Sequence, residues 1–230
     1  METLERNKKN INLIRKIKMV NSYGNFRKLI FDSCVKDHKN DLNILDIGKS
    51  ARNYSSKLEK ISNQYITADI NKFEGIDLVM DICDLSTIPK DFHHKFNNIV
   101  ALAIMEHVWQ PFLAAENLVK LLDKKKNSKI WIHAPFLFRY HAPKSLVFQD
   151  YFRYTRDSWA ILFPDARKIT LSPVRGPFDT ALNLALPRYK NFLAKSKLKF
   201  LGKFFKLFNN LYSEDSNKLQ VSGYNVIIEY

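Results

Sequence analysis

The sequence predicts a single α/β domain built on a mostly parallel sheet with helices on both faces. Three observations carry this. Five short apolar runs between residues 42 and 136 alternate with helical stretches, the pattern of strands joined by crossover helices. The first four runs end on acidic residues, at the strand ends where open α/β sheets hold ligands. A chain of 230 residues with 46% hydrophobic content also has enough apolar side chains for one full core.

The elements follow in order. Residues 3–20 and 25–37 read as two basic amphipathic helices, with Leu4, Ile11, Ile14 and Ile17, then Phe26, Leu29, Ile30 and Cys34, at helical spacing. Residues 1–40 are therefore expected to pack as helices on a domain formed by 41–230. The apolar runs "LNILDIG" (42–48), "YITADI" (65–70), "IDLVMDI" (76–82), "NIVALAIM" (98–105) and "KIWIHAPF" (129–136) read as strands. Before the last of these, Leu113, Leu118, Leu121 and Leu122 give residues 111–122 the apolar face of a helix. Two further strands, "ARKITLSPV" (166–174) and "SGYNVIIEY" (222–230), close the chain. Roughly 177–215 breaks the alternation. Within it, residues 191–212 interleave Phe204, Phe205, Phe208 and several leucines with five lysines. Such a helical insertion suits a lid over the active site or a contact with an anionic membrane surface, where apolar residues enter the headgroup layer and lysines meet the lipid charge.

Composition bounds the function. The net charge of +14 favours polyanionic partners, but the basic residues are scattered and no RNA-binding module is recognisable, so nucleic acid is the less favoured partner. No apolar run is long enough to span a bilayer and the first residues lack a signal-peptide core, so a cytoplasmic protein is expected, peripheral to the inner membrane face if 191–212 binds lipid. Cys34 and Cys83 have neither CxxC nor Cys/His spacing, which argues against a disulfide framework or a zinc site.

The polar strand ends outline a nucleotide-like site. The first run supplies Asp46 and Gly48. The second supplies Asp69, 21 residues after Gly48, followed by Ile70; an acidic residue at about this distance is placed to accept hydrogen bonds from ribose hydroxyls. The third supplies Asp81, and the fourth Glu106 and His107. A dinucleotide loop needs three glycines so that its backbone can approach a pyrophosphate. "DIGKSARNY" has one. S-adenosylmethionine has an adenosine and no phosphate, so the loop suits it better than NAD.

The run "LDIG…ADI…DICDLSTIP…FNNIVALAIMEHVWQPFLAAENLVKLL…IWIHAPFLFRYH…QDYFRYT" resembles the class I methyltransferases of the type-11-like group over roughly residues 42–175. Its most specific pieces are "MEHVWQP" (105–111) and "HAPFLFRYH…DYFRYT" (133–155). The resemblance implies a Rossmann-like, seven-stranded sheet with S-adenosylmethionine across the ends of the first four strands. Asp46 and Gly48 would then flank its methionine part, Asp69 would hold the ribose, Asp81 and Ile82 would border the adenine, and Ile104, Met105 and Glu106 would floor the cofactor. This sequence departs from the group in its single loop glycine and in "DKKKNSK" (123–129), which replaces the usual glycine turn.

The loops leaving the fifth run should face the methyl group, which makes Arg139, Tyr140, Tyr151 and Arg153 candidate substrate contacts. If the acceptor is a hydroxyl or a protonated amine its proton must leave; His141, His107 and Asp150 are the candidate bases, in that order. Some quinone-pathway methyltransferases hold a divalent ion with Glu-x-x-Glu-His, but Ala103 stands at the first glutamate position here, so no metal is expected. The reading is a methyltransferase acting on a small-molecule or lipid-linked acceptor, such as a surface-glycan sugar. Its rivals are an RNA methyltransferase and a cofactor-binding protein without catalysis.

Overall fold

The structure is a computed structural model, and it describes residues 2–37, 41–124, 127–142, 148–186 and 218–230. In chain order the strands are β1 (Ile17–Met19), β2 (Asn43–Ile47), β3 (Gln64–Asp69), β4 (Leu78–Val79), β5 (Asn98–Leu102), β6 (Lys129–Pro135), β7 (Lys168–Val174) and β8 (Gly223–Glu229). The helices are α1 (Glu2–Ile14), α2 (Phe26–Asp37), α3 (Ser55–Ile61), α4 (Pro111–Leu121), α5 (Ser158–Leu162) and α6 (Pro177–Ala185). The strands make one sheet in the order β1-β7-β8-β6-β5-β2-β3-β4. β8 runs antiparallel to both its neighbours, and the other pairings are parallel.

Period-two alternation along the strands sorts the core into two layers. Leu45, Ile99, Ala101, Ile130, Ile132, Val226 and Ile228 point to one face and pack with α4 and α5 through Leu118, Leu121 and Trp159. Ile44, Val100, Leu102, Trp131 and Ile227 point to the other, against Phe26, Ile30 and Cys34 of α2 and Leu58 of α3. Central strands with both faces buried require near-continuous apolar runs, and "NIVAL" is buried at every position. Asn25 starts α2, its side-chain oxygen accepting the Lys28 N–H at 3.1 Å. Pro111 at the first turn of α4 supplies the dihedral that a helix start needs.

Among the described residues the sheet has eight strands rather than seven. The helix expected over 3–20 stops at Ile14, and Ile17–Met19 pairs in parallel with Ile169–Leu171 of β7. Helical spacing is overridden here by the open hydrogen-bonding edge of β7, which the short strand covers. Leu4 and Ile11, assigned to a buried face by that spacing, are more than half exposed. The strand expected over 76–82 shortens to Leu78–Val79, because Asp77 turns its carboxylate onto the Thr67 N–H and hydroxyl, and the Asp81 carboxylate accepts the Cys83 N–H in a turn. After α4, Asn127 takes the left-handed conformation (φ 70°) that a glycine turn would supply.

β2 lies at the topological switch point: the chain moves outward through β3 and β4, then returns to β5 on the other side of β2. A crevice therefore opens at the carboxyl ends of β2 and β5. Among the described residues no helix is long and apolar enough to cross a membrane. The aromatic, basic stretch 191–212 lies outside the described residues.

Candidate active site

The loop after β2 is held from behind. Asp46 is fully buried, and its carboxylate accepts the Ser50 N–H (2.8 Å), the Ser50 hydroxyl (3.0 Å), the Ala51 N–H (3.2 Å) and the Tyr65 hydroxyl. Burial pushes the Asp46 pKa up, and these donors act against that shift. All of that capacity is spent on the chain itself, so Asp46 shapes the loop instead of flanking a ligand. The Ser50 oxygen also accepts the Leu102 N–H at 3.1 Å, tying the β2 loop to the end of β5 across the crevice. Gly48 sits at φ 71°, and a Cβ there would lie 2.5 Å from Ile104 Cδ1. Left-handed backbone and close approach together call for glycine.

A cavity of about 550 Å³ fills the crevice. Gly48, Asp69, Ile70, Asp81, Ile82 and Ile104 line it, as expected from their strand ends. One Asp69 oxygen accepts the Asn71 N–H (2.7 Å) and side-chain amide (3.2 Å); the other has no partner among the described residues and stands 3.8 Å from the position of a Gly48 Cβ. Met105 is completely buried and supports the cavity without lining it. Ser50, Phe73, Trp109 and Phe148 also line it and were missed. Trp109 was within sight in "MEHVWQP", where a tryptophan followed by a glutamine and a helix-starting proline sits at a loop end.

The far end of the cavity is a knot between two distant stretches. Ala103, at φ 60°, turns the chain out of β5 into a short turn of 3-10 helix, Met105–His107. The Glu106 carbonyl accepts the N–H groups of Tyr151 (2.8 Å) and Phe152 (3.1 Å), and the Tyr154 hydroxyl donates to the Met105 carbonyl (2.8 Å). Arg153 forks onto the Asp150 carboxylate and donates to the carbonyls of Phe138 and Arg139. Asp150 also accepts the His141 N–H at 2.9 Å. The two most specific pieces of the family resemblance are thus one packed unit.

This arrangement divides the candidate residues. His107, His141 and Tyr151 line the cavity. The Asp150 side chain is sealed from solvent; burial alone would raise its pKa, but Arg153 and the His141 N–H outweigh it and hold the carboxyl below the usual range. A committed, low-pKa carboxylate away from the cavity is not a base for a substrate, so Asp150 is a positioning residue for His141. Arg153 is spent on the same knot. Arg139 lies exposed on the Phe138 ring, and Tyr140, 63% exposed, donates to Gln149 Oε1 (2.8 Å); neither lines the cavity.

Glu106 lies behind the two histidines. Its carboxylate is fully buried, and neither oxygen is hydrogen-bonded among the described residues. Its Oε1 is 3.5 Å from His141 Nε2 and 3.9 Å from His107 Nε2, beyond good hydrogen-bond length. The two imidazoles meet edge to face, with ring centroids 5.1 Å apart. Glu106, against the opposing effect of burial and with Asp150 adding to it, holds the His141 imidazole above its ordinary value.

Solved structures share this architecture. A SAM-dependent methyltransferase from Archaeoglobus fulgidus superposes over 89% of this chain and 94% of its own, at 15% identity and a TM-score of 0.52. Phosphoethanolamine N-methyltransferase 2 from Haemonchus contortus, in complex with S-adenosyl-L-methionine, superposes over 90% of this chain at 11% identity and a TM-score of 0.51; the chain spans about half of that protein, 53% of its length. This is the class I methyltransferase fold. No family model matches the chain, and no curated protein matches it by sequence.

Proposed function

We propose that the chain is an S-adenosylmethionine-dependent methyltransferase acting on a small-molecule acceptor bound at the β5–β6 end of the cavity. One observation carries the reading: an Asp69 oxygen without a partner among the described residues faces a turn at Gly48 that has no room for a side chain. This suits ribose hydroxyls and a thioether chain. A pyrophosphate would need further N–H groups freed by glycines that the loop lacks.

The cofactor supplies a methyl group on a positively charged sulfur. Everything else falls to the protein. Asp69 accepts hydrogen bonds from the ribose, Asp81 and Ile82 border the adenine, and Ile104 covers the loop at Gly48. Alignment of donor and acceptor accounts for most of the barrier reduction such a displacement needs. His141 and His107, with Glu106 behind them, face the acceptor and are placed to take its proton. Within this reading we favour a lipid-linked or glycan acceptor: Phe73, Trp109 and Tyr151 line the cavity while each remains about half exposed, a rim suited to the flat apolar faces of a sugar or a lipid stem.

Calorimetry tests the assignment. S-adenosylmethionine and S-adenosylhomocysteine should bind with one-to-one stoichiometry and NAD should not. Tight NAD binding, or no binding of either sulfur compound, overturns it. Co-sedimentation with anionic and neutral vesicles tests the lipid arm: binding to anionic vesicles that is lost when Phe204, Phe205 and Phe208 are changed to serine supports a membrane contact through 191–212.

A further inference from the structure

We infer that Glu106, His107 and His141 form a binding site for a divalent transition-metal ion, of the zinc, cobalt or manganese type, at the acceptor end of the cavity. The sequence pattern argued against a metal, because Ala103 removes one carboxylate and only Glu106-His107 remained. The fold supplies the missing ligand from 35 residues away. One ligand atom from each of the three side chains lies within 4.8 Å of the others.

The hydrogen bonds around the cluster aim it inward. His107 Nδ1 lies 2.8 Å from the Gln149 carbonyl oxygen, which can only accept, so Nδ1 carries the proton and Nε2 presents its lone pair. His141 Nδ1 lies 3.1 Å from Asp150 Oδ2 and 3.3 Å from the Arg139 carbonyl, which fixes its proton in the same way. Both Nε2 atoms then face the Glu106 carboxylate. Three acceptors converge on one point, and the carboxylate among them is fully buried with no hydrogen-bond donor among the described residues. Leaving a buried polar group unpaired is costly, and a cation satisfies all three at once. Ligating histidines ordinarily donate their second ring nitrogen to a carbonyl or carboxylate, the arrangement found at both of these.

Geometry and ligand type agree. Ligands about 2.1 Å from a tetrahedral ion are separated by roughly 3.4 Å; the two observed separations from Glu106 Oε1 are 3.5 and 3.9 Å. Two imidazoles and one carboxylate suit zinc, cobalt or manganese, whereas magnesium and calcium favour all-oxygen shells. Three protein ligands leave open positions, and both histidines line the cavity. With the ion bound the two Nε2 atoms are ligands and no longer bases, and an acceptor hydroxyl bound there would instead release its proton to solvent more readily. Its oxygen then forms the new O–CH3 bond as the S–CH3 bond breaks, and that electron pair returns to sulfur, leaving a neutral thioether. This use of the ion rests on the methyltransferase reading and points to an oxygen acceptor; the binding site itself does not depend on it.

The full chain, stripped with chelator and titrated with Co2+ at pH 8, tests the site without cofactor or acceptor. One equivalent should bind and develop visible ligand-field bands, with Zn2+ displacing it and Mg2+ failing to. Glu106→Gln and His141→Ala should each weaken binding by more than the ~10–100-fold expected from losing an orienting partner such as Asp150. Asp69→Ala should bind Co2+ like the parent, and Cys83→Ser should too, which excludes a thiol ligand. Absence of stoichiometric binding by the parent chain, or unchanged affinity in the Glu106 and His141 variants, overturns the site. So does a nitrogen-15 spectrum in which His141 stays doubly protonated with Zn2+ present, since the cluster is then an imidazolium–carboxylate pair. Failure of metal binding leaves the S-adenosylmethionine assignment standing, and failure of cofactor binding leaves the metal result standing.

Discussion

Apart from the Ser50–Leu102 and Asp46–Tyr65 bonds, the side-chain hydrogen bonds at the cofactor end of the cavity join near neighbours in sequence, whereas the acceptor end joins stretches more than 40 residues apart. At the first end Asp46 clamps Ser50 and Ala51, Asp69 holds Asn71, and Asp81 holds Cys83. At the second, residues 105–107 are bound to 149–154, and Arg153 reaches back to 138 and 139. On the proposed function, local loops would form the site that binds the cofactor and the long-range knot the site that positions reactive groups. The two ends should therefore fail separately.

The largest separation should come from His141→Ala, which is expected to lower turnover by ~100-fold or more while leaving S-adenosylhomocysteine affinity essentially unchanged in calorimetry. Equal loss of both would mean that the ends are one mechanical unit. Asp69→Ala should do the reverse. Removing its hydrogen bonds should weaken S-adenosylhomocysteine by about 1–3 kcal/mol, and Co2+ titration should be unaffected.

A third effect is one of pH. His141 is held above its ordinary value of 6.5 partly by Asp150, so in metal-stripped protein Asp150→Asn should shift its NMR titration to lower pH. A group whose folded pKa is raised contributes stability that is fully present below its unfolded value and is lost as pH rises through the folded one. The parent's thermal midpoint should accordingly lose that contribution on the alkaline side of 6.5, over a window that Asp150→Asn narrows. An unchanged titration would remove Asp150 as the orienting partner. The smallest effect belongs to Tyr140→Phe. Among the described residues its hydroxyl meets only Gln149, outside the cavity, and kcat/KM should change by no more than about twofold, within the range of surface substitutions.

The same contrast governs what could be read from the sequence. Strands with period-two or continuous apolar patterns were legible, as was part of the lining of the crevice, because Gly48, Asp69, Asp81 and Ile82 are placed there by their own strand ends. The eighth strand was not, since Ile14 and Ile17 fit a helical face equally well until β7 offers an open edge. At the acceptor end Asp150 and Arg153 read as polar residues beside a substrate, and only the fold shows them satisfying each other. Glu106-His107 lacked a third ligand in sequence because His141 approaches through a separate loop.

The strand Ile17–Met19 is completed by partners at 169–171, about 150 residues later. As the chain leaves the ribosome, this segment has nothing to pair with until about 150 further residues have been made. Its docking is then a late step that seals the margin of the sheet. A protein cut before residue 20 should still acquire the crevice, yet present a bare β7 ladder to its neighbours and associate with itself as concentration rises, a behaviour that light scattering of the shortened and full-length proteins would reveal side by side.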